Sequence, residues 1–97
     1  MDLITDHIEA YLEGLSKADF LALMVVMDRL ESEGSKLRMP FSRPLRHGLF
    51  ELRVDQQRVL YFFGRGKAIF TNGFKKQKNK APSYEIEKGV KIKRLYS

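Results

Sequence analysis

Five side chains in this sequence are of types that could act together on a phosphate: Arg53, Arg58, Lys75, Lys76 and Tyr96. Such a set supports one reaction well. RNA carries its own nucleophile in the 2′-hydroxyl, so a protein can cleave it by positioning and charge stabilisation alone. Guanidinium groups grip a phosphate through paired hydrogen bonds and offset charge on the pentavalent transition state. A lysine among cationic neighbours can accept the 2′ proton, and an aromatic ring can stack a base. The same side chains also make plain phosphate contacts, and spacing alone leaves binding and cleavage both open.

Other chemistries find few candidates. The only histidines are His7, in an acidic stretch, and His47, in a basic one, with no close carboxylate cluster beside either. No metal site and no cofactor are expected. Cysteine is absent, which removes disulfides and thiolate ligands. The triplet Gly64-Arg65-Gly66 suits a hairpin turn better than a phosphate loop, and no serine triad can be assembled.

Charge is unevenly placed. Residues 1–33 hold eight acidic side chains against Lys17 and Arg29, whereas residues 34–97 hold sixteen basic ones against Glu51, Asp55, Glu85 and Glu87. A basic portion of this strength attracts polyanions, because each neutralised phosphate releases counterions. Lys36, Arg38, Arg46, Lys78 and Lys80 are candidates for nucleic-acid contact on this ground, with Phe74 as a base-stacking or supporting ring. No apolar run reaches the roughly 20 residues needed to cross a bilayer, and the first residues lack a signal-peptide pattern. A soluble, cytoplasmic chain is expected.

The elements that must position these groups read as α-α-β-β-β-α in one domain, residues 1–97. A short helix is expected over 5–14. The next begins at Ser16, whose spacing to Asp19 resembles a capping box, and runs to about Glu33 with Gly34 as its stop. Its predicted buried stripe is Phe20, Leu23, Met24, Met27 and Leu30. Residues 35–48 read as irregular because Pro40 and Pro44 forbid a regular helix.

The period then changes to two. Three strands, 49–54, 58–63 and 67–74, form an antiparallel meander. If Asp55-Gln56 is a two-residue turn, Arg53 stands opposite Arg58, a destabilising pairing unless something anionic lies between them. Pro82 suits the first turn of a last helix, and Gly89 should weaken it or end it early, at a cost of about 1 kcal/mol relative to Ala. The fold class is therefore α+β, with the helices on one face of a small sheet and the other face open.

At this level the string resembles a known group. "MPFSRPLRHGLFELRV", "RVLYFF", "NGFKKQKNKAPSYEIEKG" and "RLY" are similar to the HigB-type, phage-derived branch of the RelE/ParE toxin superfamily. The resemblance implies a RelE-like fold and a toxin of a type II toxin–antitoxin pair that cleaves mRNA on the ribosome. Its partners would be the ribosome, mRNA and a cognate helix-turn-helix antitoxin. By the same resemblance Arg53 and Arg58 hold the scissile phosphate, and Lys75 supplies the general base or charge stabilisation. Lys76 assists, Phe74 stacks or supports, and Tyr96 either closes the site or pins the last helix.

The sequence departs from the family pattern where a first strand is usual, since only "MDLI" precedes Thr5. That strand is expected to be missing or very short. Two other readings stay open: a ParE-like gyrase poison, and a non-catalytic relative that binds RNA or an antitoxin.

Overall fold

The computed structural model describes residues 1–97. It is an α+β fold with a five-stranded mixed sheet. In chain order the elements are β1 (Asp2–Ile4), a 3-10 turn (Asp6–Ile8), α1 (Glu9–Glu13), α2 (Lys17–Glu33), β2 (Ser42–Pro44), β3 (Phe50–Val54), β4 (Gln57–Gly64), β5 (Lys67–Lys75) and α3 (Ser83–Arg94). Further 3-10 turns occupy Gly34–Lys36 and Arg46–Gly48. The spatial order is β1-β5-β4-β3-β2, with β1 parallel to β5 and the other pairs antiparallel.

The helix signals act as read. Ser16 Oγ accepts the N–H of Asp19 at 3.1 Å, satisfying one of the orphan donors at the start of α2. Gly34 ends α2 at φ 57°, a conformation that suits a residue without Cβ. The buried stripe differs by one turn position: Val26 joins Leu23, Met27 and Leu30, while Phe20 is 37% exposed. The first strand exists and is three residues long, tied down where the Met1 amino group donates to Glu31 O at 2.9 Å.

Two expectations are corrected. The proline-bearing stretch is not wholly irregular, because Ser42–Pro44 pairs with β3; Pro44 is tolerated there since β2 is an edge strand. Nor is one face of the sheet open. The reason lies in β4, where Val59, Leu60, Tyr61 and Phe62 are apolar in succession and all buried, the mark of a strand covered on both sides.

Leu52, Val54, Val59, Tyr61, Ala68 and Phe70 pack beneath α1 and α2. On the other face Leu49, Leu60, Phe62, Ile69 and Phe74 pack with Ile86 of α3. Gly89 also behaves differently from its helix propensity. The helix runs through it to Arg94, and a Cβ there would stand 3.0 Å from Leu49 Cδ1, 3.1 Å from Thr71 Oγ1 and 3.2 Å from Asn72 Oδ1. The glycine allows α3 to lie close against the sheet.

One irregularity decides which side chains share a face. Leu60 pairs with Asn72 but Tyr61 pairs with Phe70, so Thr71 is the extra residue of a β-bulge in β5. Thr71 Oγ1 donates toward Leu60 O at 3.3 Å. Beyond the bulge, strand alternation is inverted relative to an uninterrupted strand.

Candidate active site

Asp55-Gln56 is a two-residue turn, with Asp55 at φ 52°, and it sets the expected register. Arg53 stands opposite Arg58 across β3 and β4, and Arg58 stands opposite Phe74 across β4 and β5. The row Arg53–Arg58–Phe74 therefore lies across three strands on the α3 face. Arg58 is only 6% exposed, and its Nη1 donates to Asp55 O at 2.9 Å and to Gln57 O at 2.8 Å. It holds the turn while its charge stays beside Arg53. Burial is the largest cause that lowers its pKa, followed by Arg53; Glu51 opposes the shift and Arg43 adds to it.

Glu51 occupies the middle of this cluster. It is 1% exposed, two residues before Arg53 on the same face of β3, and opposite Arg43 of β2. Arg43 Nε donates to Glu51 Oε1 at 2.9 Å, and Arg53 Nε lies 3.7 Å from the same oxygen. That Arg53 nitrogen is buried without a hydrogen-bond partner. Its Nη1 meets only Met39 Sδ, at 3.4 Å. Two guanidiniums thus share one carboxylate, and the third, Arg58, lies beside them with only backbone acceptors, an arrangement that an anion would complete, since buried charge is costly unless paired. Arg53 and Arg58 border a groove of about 520 Å³ whose other walls include Ala22, Val25 and Val26 of α2 with Pro40 and Phe41.

The lysines divide. Lys75 pairs with Gln57, whose Oε1 accepts from Tyr11 at 2.7 Å on the α1 side, so alternation assigns Lys75 to the face opposite the arginines. Continued one residue, the same alternation returns Lys76 to the arginine face. Lys76 is half-buried, and its N–H donates to Gln56 O at 2.6 Å. Phe74 is buried in the core under α3 and is a supporting ring; its face is not offered to a base. Lys78 and Lys80 are exposed in the segment after β5, which is tied to the cluster where Arg43 Nη2 donates to Asn79 O at 3.2 Å.

The remaining candidates are dispersed. Tyr96 does not reach the arginines: its hydroxyl bonds His7 Nε2 at 2.6 Å and its ring meets Phe62 edge-on at 5.6 Å, toward the far end of β4. It pins the residues after α3 to the sheet. Arg46 leans toward α3, with Nη2 3.3 Å from Ser83 Oγ, and borders a separate groove of about 360 Å³ with His47 and Lys91. Lys36 and Arg38 are exposed beside the 3-10 turn after α2, where Arg38 donates to Ser35 O.

Sequence reasoning missed Arg43 and Glu51 as members of the site. The available signal was Glu51 itself, an acid in a basic region at the i, i+2 spacing that shares a strand face with Arg53. No three histidine or carboxylate side chains come together in a way that would hold a metal ion, and no helix is long and apolar enough to cross a membrane.

No curated protein matches the chain. A family model does: residues 10–94 match phage-derived protein Gp49-like (DUF891), a family associated with RelE/HigB-like toxins. With its RelE-like fold and a match over nearly its whole length, the chain belongs to the phage-derived Gp49-like family.

Proposed function

We propose that this protein is the HigB-type toxin of a type II toxin–antitoxin pair, and that it cleaves mRNA on the ribosome in the cytoplasm without a metal. The family, associated with toxins of this kind, supports that reading and suggests an antitoxin partner. The observation that carries the chemistry is the guanidinium cluster: Arg43 and Arg53 share the buried carboxylate of Glu51, Arg58 stands opposite Arg53 without a carboxylate of its own, and Arg53 Nε has no hydrogen-bond partner. A scissile phosphodiester supplies the missing anion.

In this mechanism Arg53 and Arg58 bind the non-bridging oxygens. The 2′-oxygen attacks phosphorus, the bond to the 5′-oxygen breaks, and that oxygen takes a proton from water, leaving a 2′,3′-cyclic phosphate and a 5′-hydroxyl. Lys76, on the arginine face by register, takes the 2′ proton or stabilises the developing charge; Lys75 contributes from the other side of the strand. Lys78 and Lys80 draw the backbone in through long-range attraction. The antitoxin is expected to be a helix-turn-helix protein.

Induced expression is expected to arrest growth and cleave translated transcripts, and Arg53→Ala or Lys76→Ala to relieve both. Growth arrest that persists unchanged in the Arg53→Ala, Lys76→Ala double variant would sink the nuclease reading. DNA damage with intact transcripts would identify a gyrase poison instead.

A further inference from the structure

A groove of about 570 Å³ lies away from the arginines. It lies toward the other end of β4, where the Arg65-Gly66 turn joins β4 to β5. Its lining combines apolar side chains from β1, β4 and β5 (Ile4, Phe62, Ile69) with Leu95 and Tyr96 after α3. Leu95 is 70% exposed and Tyr96 43%, so the residues after α3 form an apolar wall that nothing in the fold covers. That wall is built rather than loose, because Tyr96 is held by His7 and by the Phe62 ring.

The charged side chains bordering this groove have one sign. Arg65, Lys67 and Lys93 line it, and no carboxylate side chain does. Lys93 Nζ is engaged with His47 O at 2.7 Å, whereas Arg65 and Lys67 form neither an ion pair nor a side-chain hydrogen bond. The nearest acid in register is Asp2, opposite Lys67 across the β1–β5 pair, and it makes no ion pair. Alongside runs β1, an edge strand that pairs only with β5 and so has one edge unpaired in the sheet.

We propose that this groove docks an extended acidic segment of a protein partner. Apolar side chains of the segment enter over Ile4, Leu95 and Tyr96, above the buried floor of Phe62 and Ile69. The alternate carboxylates meet Arg65 and Lys67, and the backbone runs along the open edge of β1. Period-two alternation of this kind is what a strand edge beside an apolar groove selects. Charge complementarity decides for an acidic occupant. A nucleic acid suits the site less well, because its most exposed apolar surface is the aliphatic Leu95, while Phe62 is buried and the Tyr96 ring is already engaged by His7 and Phe62. The proposal stands without the nuclease reading, since no member of the guanidinium cluster contributes to this groove.

The test is an anisotropy titration with a labelled eight-residue peptide alternating leucine and glutamate. It is run against the wild-type chain, Arg65→Glu/Lys67→Glu, Leu95→Asp and Arg53→Ala, each checked for folding by circular dichroism. Binding is expected to weaken with salt, to fall about tenfold or more in the two groove variants, and to be unchanged in Arg53→Ala. A matched leucine–lysine peptide is expected not to bind. The proposal is overturned by absence of binding to wild type, by loss of binding in Arg53→Ala, or by equal binding in the groove variants. It is also overturned if a single-stranded RNA oligomer outcompetes the peptide at this groove. A concentration-dependent dimer that the Leu95→Asp change abolishes would assign the groove to a second copy instead.

Discussion

The two ends of the central hairpins are built on opposite principles. At the Asp55-Gln56 end the turn is bound by a buried arginine, and charged groups outnumber their partners around Glu51. At the Arg65-Gly66 end the polar groups are exposed and the apolar ones converge, with Tyr96 and Leu95 extending the surface of Phe62 and Ile69. One end is short of an anion and the other is short of an apolar cover. The lesson is that a small fold can keep a site for chemistry and a surface for association apart by placing them at opposite ends of the same strands. What makes this possible is β4, buried on both faces, which carries Arg58 near its start and Phe62 near its finish.

The comparison breaks most readily at the arginine end. Arg53→Ala is expected to lower RNA cleavage by about 10³-fold in a translation-coupled assay, the size typical of removing one preorganised charge-stabilising donor. The Arg65→Glu/Lys67→Glu variant should leave cleavage of translated mRNA within about twofold, because those residues lie outside the charge cluster. Equal losses in both would erase the distinction between the ends.

Glu51→Gln is next in size. It leaves Arg43 and Arg53 with no carboxylate, and unpairing a mostly buried charge costs roughly 2–4 kcal/mol. Urea denaturation measures that loss. It is expected to shrink when phosphate or sulfate is added, since an anion then takes the place of the lost charge.

A smaller effect tests how α3 is seated between the ends. Helix propensity alone predicts that Gly89→Ala stabilises by about 1 kcal/mol. The added Cβ would stand 3.0–3.2 Å from Leu49, Thr71 and Asn72, which is tight on three sides. The expected result is no gain in the denaturation midpoint, or a loss of about 1 kcal/mol.

The smallest effect concerns pH. Burial, then the charge of Asp19, push the Tyr11 phenol from 10.0 up to about 12. The folded state therefore keeps this proton longer than the unfolded chain does. The associated stability is fully present below pH 10 and is lost as pH rises from 10 through about 12. Denaturation curves across that window should fall less steeply for Tyr11→Phe than for wild type.

Much of this was legible from residue order. The Ser16–Asp19 cap, the Gly34 stop, the Gly64-Arg65-Gly66 hairpin and the Arg53–Arg58 pairing all follow from contacts within a few residues, where side-chain type dictates geometry. Other features depended on partners distant in sequence. Ser42–Pro44 becomes a strand only because β3 offers an edge to pair with. Gly89 reads as a helix weakness until the sheet beneath it is in place.

The division is sharpest at the lysines and at Tyr96. By itself the sequence determined that basic residues end the last strand beside a two-arginine rung, because turn chemistry and alternation are local. Which lysine shares the arginine face was decided by the bulge at Thr71, one extra residue that inverts alternation downstream. Arg43 and Glu51 joined the cluster through cross-strand pairing, and Tyr96 left it for His7 and Phe62. These outcomes are long-range: they depend on how whole strands and helices pack, and a shift of one residue in register changes which side chains meet.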